Sequence, residues 1–180
     1  MAEFDSSGFD GSHRIDIAVH ENGIAATIRK IHQAAAAVAV LSPEAAMSLR
    51  GEALRLGESL EAVVKGAAKV VLQTAVQTSP VDTGMMRANW QISVGKGRFR
   101  AYEVQGTDKD GVETIVNGSM EIDASDRKPG ESYFIYNAAH HAKALEEGWS
   151  AQAPAGMTAL ARQAGEQFAH NRRIALRGKP

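Results

Sequence analysis

Residues 135–157, IYNAAHHAKALEEGWSAQAPAGM, carry an extended apolar run into an Asn, then a short amphipathic helix, then a turn rich in Gly and Pro. The run continues a buried strand that opens at Tyr133. Asn137 stands at the strand end, where its amide can satisfy backbone groups as the chain enters a helix over residues 138–147. Gly148 suits the C′ position that ends such a helix, because it takes a positive φ with no Cβ to clash. Gly148, Pro154 and Gly156 then shape a rigid loop ahead of a final helix over residues 156–175, whose apolar face is Met157, Leu160, Ala161, Ala164 and Phe168. A second stretch works with the first: residues 79–90, SPVDTGMMRANW. Pro80 pushes Ser79 out of the α region and stops the helix before it. Asp82 and Thr83 are placed to accept backbone N–H bonds in an Asx or Ser/Thr turn, Gly84 allows an unusual φ, and residues 85–88 supply one helical turn. If the two stretches adjoin, Glu146 can pair with Arg87.

Upstream lies the longest periodic segment. Ser42 is a favoured N-cap and Pro43 fits the first helical position. Leu49, Ala53, Leu56, Leu60, Val63, Ala67, Val70 and Thr74 then alternate steps of four and three, a seam over residues 43–78 that would run about 50 Å unbroken. Gly51, Gly57 and Gly66 each cost about 1 kcal/mol relative to Ala, so a kink or break is expected near Gly57. Ile24, Ile28, Ile31, Ala35 and Val38 mark an earlier helix that ends near Leu41. Residues 1–22 hold few large apolar side chains and read as a flexible arm.

Downstream, Trp90, Ile92 and Val94 alternate with polar residues as a half-buried strand. A basic turn follows at residues 95–98, and residues 99–104 read as a returning strand. Asp110, Gly111, Val112 and Glu113 resemble a capping box ahead of a helix marked by Val112, Ile115, Val116 and Met120. The expected architecture is α+β, with long N-terminal helices packed on a small, mainly antiparallel sheet and a C-terminal helix. One domain spans residues 23–175, with its helical part at 24–78 and its sheet and helices at 80–175. A basic tail occupies 176–180.

The chain has 180 residues, 20 Lys plus Arg against 21 Asp plus Glu, and no Cys. A net charge of −1 gives no whole-molecule field for nucleic acid or an anionic membrane. The absence of Cys removes disulfides, thiolate nucleophiles and thiolate metal sites. The most apolar run, residues 34–41, is too short to cross a bilayer, and no membrane partner is expected.

The two stretches together resemble the tail-component family of long-tailed bacteriophages, the minor tail protein Z-like or tail completion proteins. Pro80, Val81, Asp82, Thr83, Gly84, Arg87 and Trp90 match the first half of the family pattern. Lys128, Pro129, Gly130, Ile135, Asn137, Ala142, Leu145, Glu146, Gly148, Ser150, Gln152, Ala153, Pro154, Gly156 and Met157 match the second. His141 stands where the family usually has Tyr. The resemblance implies a structural virion protein that completes the tail and joins it to the head. It would be assembled in the host cytoplasm and reside in the tail and neck of the virion, as one subunit of an oligomeric, hexameric neck ring that touches other neck and tail proteins. A tail terminator or another connector ring is the alternative within that class.

Some of the same residues suggest sharper chemistry. Asp82, Thr83 and Gly84 form the tripeptide of aspartic proteases, in which two carboxylates share a proton. Here the tripeptide follows a helix and Pro80 rather than an apolar strand, so a turn is favoured and no catalytic residue is assigned. His140 and His141 are adjacent and point to different helix faces, and the Asp108 to Gly111 segment lacks the later ligands of a calcium loop, so neither a metal nor a cofactor is expected. Lys96, Arg98 and Arg100, with Arg172, Arg173 and Arg177, form local basic clusters that could meet packaged DNA through its phosphates, or a neighbouring ring.

Overall fold

The computed structural model describes residues 14–19, 24–95, 106–128 and 130–177. In chain order these form β1 (Ile15–Val19), α1 (Ile24–Val38), α2 (Pro43–Thr78), α3 (Met85–Ala88), β2 (Trp90–Val94), α4 (Val112–Ala124), β3 (Tyr133–Asn137), α5 (Ala142–Glu146) and α6 (Thr158–Arg177). The fold is α+β, as the periodicities require.

The ends of α2 follow from local chemistry. Ser42 Oγ accepts the Ala45 N–H at 3.3 Å, and Pro43 takes the first helical position. The helix runs on through Gly57 to Thr78, without the expected break. Gly57 faces α1, and a Cβ built there would lie 3.8 Å from Ile28 Cδ1, so tertiary packing offsets the low helix propensity. Elsewhere glycine permits close contact: a Cβ on Gly66 would lie 2.5 Å from the Phe168 ring, and one on Gly165 would lie 2.5 Å from Val71. These positions let α6 lie directly on α2.

The sheet has the order β1-β3-β2, with both pairings antiparallel. Ile135 stands opposite Ile17 on one side and Ile92 on the other, so a row of apolar side chains crosses all three strands. That face packs against the C-terminal half of α2, where Val64, Ala68, Val71, Leu72, Ala75 and Val76 are buried. Alternation along each strand sends every second residue into this core. Residues 15–19 therefore differ from the flexible arm expected of 1–22. Ile15 and Ile17 are buried through pairing with β3, a long-range contact that the composition of the segment does not reveal.

The helix expected at Val112 is present as α4, which packs on α2 and β2. Helix α5 begins at Ala142 rather than Ala138, and α6 runs on to Arg177, into the segment read as a basic tail. The returning strand at 99–104 lies outside the described residues, as do Lys96, Arg98 and Arg100. No described helix is long and apolar enough to cross a membrane.

Candidate functional site

The two motif stretches come together where α2 ends, and their polar groups bind backbone. Ser79, buried, donates its hydroxyl to Ala75 O at 2.7 Å and accepts the Trp90 indole N–H at 2.8 Å. Met157 Sδ lies 3.3 Å from the same hydroxyl, so α2, β2 and the start of α6 meet on one oxygen. In the sequence Ser79 stands out only as the residue before Pro80; in the fold its hydroxyl is the point where three elements meet.

Arg87 closes the carbonyl end of α2. Its Nε donates to Ser79 O at 3.2 Å and its Nη2 to Gln77 O at 3.2 Å, while Nη1 reaches Lys109 O at 2.7 Å. A cation there also complements the negative end of the helix dipole. The expected Arg87–Glu146 pair is not formed, because each group is committed to a different helix end. Glu146 accepts the N–H groups of Met157 at 2.8 Å and Thr158 at 3.1 Å, and also the Thr158 hydroxyl. Met157 precedes the first residue of α6 and has no oxygen with which to cap it. Glu146, reaching over from α5, supplies the missing acceptor.

Asn137 does what the sequence suggests and more. Its Oδ1 accepts the Ala139 N–H at 3.0 Å, and its Nδ2 donates to Met86 O at 2.8 Å, which ties the second stretch to the first. A further tie runs from the Val81 N–H to Gln152 Oε1 at 2.8 Å. Thr83 Oγ1 accepts the Met85 N–H at 3.2 Å. Asp82 is exposed and makes no hydrogen bond among the described residues, so it is not the cap expected of it. Gly84 has φ 86°, and a Cβ there would lie 2.8 Å from Lys109 N, so the 106–111 segment can close over the turn only because the side chain is missing.

Gly148 has φ 89° and closes α5 in a Schellman motif: its N–H reaches Leu145 O at 3.1 Å, and the Trp149 N–H reaches Ala144 O at 3.2 Å. A Cβ on Gly148 would lie 2.7 Å from Pro154 O, and one on Gly156 would lie 2.6 Å from Glu146 O. The loop is thereby fixed at several points. It presents Trp149, 80% exposed.

Two anchors went unread in the sequence. Buried Asp108 accepts the Gly111 N–H at 3.0 Å, the Thr114 N–H at 2.8 Å and the Thr114 hydroxyl at 2.7 Å, so the main cap of α4 comes from Asp108. In the capping box expected at Asp110 to Glu113, only Asp110 takes part, accepting the Val112 N–H at 3.1 Å. Burial alone would raise the Asp108 pKa, but the bonds from Thr114, Asp110 and Gly111 outweigh it and leave the pKa below the ordinary value. Arg127 is the second anchor, donating to Glu61 Oε2 from both Nε at 3.0 Å and Nη2 at 2.5 Å. An Arg between Asp126 and Lys128 in a turn shows no periodicity that would mark it as buried.

His140 and His141 stack edge to face with ring centroids 4.7 Å apart. Among the described residues no group of three or more His, Cys, Asp or Glu could hold a metal. Arg172 lies over the Phe168 ring at 5.5 Å. Arg173 and Arg177 belong to α6, and their side chains lie outside the described residues. Between β2 and α4 a cavity of about 330 Å³ is lined by Trp90, Gln91, Asp108, Glu113, Asn117 and Glu121 among others.

A family model described as "Bacteriophage HK97-gp10, putative tail-component" matches residues 48–148. The match takes in most of α2, the whole first stretch and the second as far as Gly148. No curated protein and no solved structure matches the chain.

Proposed function

The chain belongs to the HK97-gp10-like family of bacteriophage tail components, and from that premise we propose that it completes the tail and joins it to the head as one subunit of an oligomeric neck ring. A tail component works in the virion and meets other tail proteins. The observation that carries the finer reading is the use made of the motif residues. Ser79, Arg87, Asn137 and Glu146 bind backbone groups at helix and strand ends, and together they hold three elements in one arrangement. That arrangement fixes the 147–157 loop and holds Trp149 out to solvent, where a neighbouring protein can bury it. Work of this kind is done by surfaces. The aspartic protease alternative draws no support from the turn, since Thr83 Oγ1 is engaged with the Met85 N–H and Asp82 faces solvent.

The test is electron microscopy of lysates from a phage whose copy of this gene is interrupted. Filled heads beside separate, full-length tails are expected, and added protein should restore whole particles. Tails of uncontrolled length would instead assign the chain to tail termination, the alternative ring role. Normal infectious particles would contradict both.

A further inference from the structure

Helix α1 and the first half of α2 meet through small side chains. On α1, Ala35 is buried, while Ile28, Ile31 and Val38 are only half-buried. On α2 as far as Gly57, the buried residues are Ala46 and Ala53, while Leu49 and Leu56 are half-buried and Met47 and Leu54 exposed. The larger apolar side chains of this arm therefore keep part of their surface in water. The other half of α2 differs: Val64, Val71, Leu72 and Val76 are at most 4% exposed, beneath α4, α6 and the sheet. Hydrophobic stabilisation scales with the apolar area removed from water, so the arm is held much more weakly than the body.

The fit of the two halves differs as well. A Cβ built on Gly57 would lie in ordinary contact, 3.8 Å from Ile28 Cδ1, and one on Gly51 would meet nothing within 4 Å, whereas one on Gly66 would lie 2.5 Å from the Phe168 ring. The packing of the arm has slack that the body lacks. Helix α1 has 15 residues, close to the length below which an isolated helix is marginal in water, and residues 43–57 of α2 are no longer than that. Each half of the arm thus depends on the other. The backbone ties of Ser79, Arg87, Asn137 and Glu146 all reach residue 75 or beyond, so none of them fastens the arm.

We infer that α1 and residues 43–57 of α2 form one cooperative unit that opens while the rest of the chain stays folded. The fold thereby carries a detachable arm. Its opening uncovers the apolar side chains of both helices and leaves in place the ties that fix the 147–157 loop. The inference concerns the single chain and stands independently of the ring reading.

The experiment is native-state hydrogen exchange on the full chain, read amide by amide, for wild type, Ile122→Val and Gly57→Ala. In wild type the slowest amides of 24–38 and of 43–57 should share one rate, faster on the order of a hundredfold than the amides at 64–76. Ile122→Val trims a fully buried side chain of the body. It should quicken exchange at 64–76 by about fivefold and leave the arm unchanged, because that site is the same whether the arm is open or closed. Gly57→Ala should slow both parts of the arm together by about fivefold, α1 included, although the substitution lies in α2. If Ile122→Val fails to fold, Ile135→Val takes its place. A single rate from 24 to 76 would overturn the inference, as would an arm that quickens with the body in Ile122→Val. An effect of Gly57→Ala confined to α2 would also overturn it, since the two helices would then open separately.

Discussion

Helix α2 is enclosed at one end and open at the other. Its C-terminal half is enclosed: Val64, Ala68, Val71, Leu72, Ala75 and Val76 are buried against α6, α4 and the sheet. In the N-terminal half, Ala46 and Ala53 are buried where the helix packs on α1, while Met47 and Leu54 face solvent. Of the periodic series from Leu49 to Thr74 only Ala53 and Ala67 are buried, and Met47 and Leu54 lie outside it, so the face that packs is not the face that the series marks. Periodicity tells which face is apolar, and only the tertiary contacts tell what lies on it.

The contrast can be broken most directly inside the enclosed half. Leu72→Ala removes a fully buried side chain that touches α4 near Gly118, and should cost about 3 kcal/mol in denaturant unfolding. Leu54→Ala, in the open half, should stay within about 0.5 kcal/mol for the monomer. Equal losses would erase the distinction. Next in size is Ser79→Ala, which leaves the buried Trp90 indole N–H without its acceptor and should cost about 2 kcal/mol. Restoration of stability by adding Trp90→Phe would identify the orphaned donor as the cause.

Acid titration sharpens the comparison at α4. The folded Asp108 pKa lies below its unfolded value, so its contribution is fully present above the ordinary carboxylate range and is lost as pH falls through the folded pKa. Asp108→Asn should lower stability at neutral pH by about 1 kcal/mol and flatten the fall on acidification. An unchanged pH profile would mean that the carboxylate is not the cap. The smallest effect belongs to Asp82. Exposed and unbonded, Asp82→Ala should change the melting free energy by less than about 0.5 kcal/mol, and a larger loss would restore the capping role first read from the sequence.

The legible parts of the fold were those with local causes. Ser42-Pro43 and Ser79-Pro80 fixed both ends of α2, Gly148 marked the close of α5, and Asn137 announced a strand that turns into a helix. What stayed hidden depended on partners distant in sequence. Residues 15–19 are apolar but for Asp16, and their burial needs β3. Arg87 and Glu146 were expected to pair because their charges are opposite, yet each satisfies a helix end that exists only once the chain has folded. The capping role of Asp108 was hidden because its donors extend from Gly111 to Thr114, past the capping-box spacing. Both motif stretches were found as sequence. Their use as backbone ties, with Ser79 at the centre, needed the geometry.

Hydrogen exchange along α2 in the dilute chain tests the division of that helix most directly. Amides at 64–76 should be protected, and those at 44–58 should exchange readily. Equal protection along the whole helix would contradict the account, since the N-terminal half would then be held as firmly as the enclosed half.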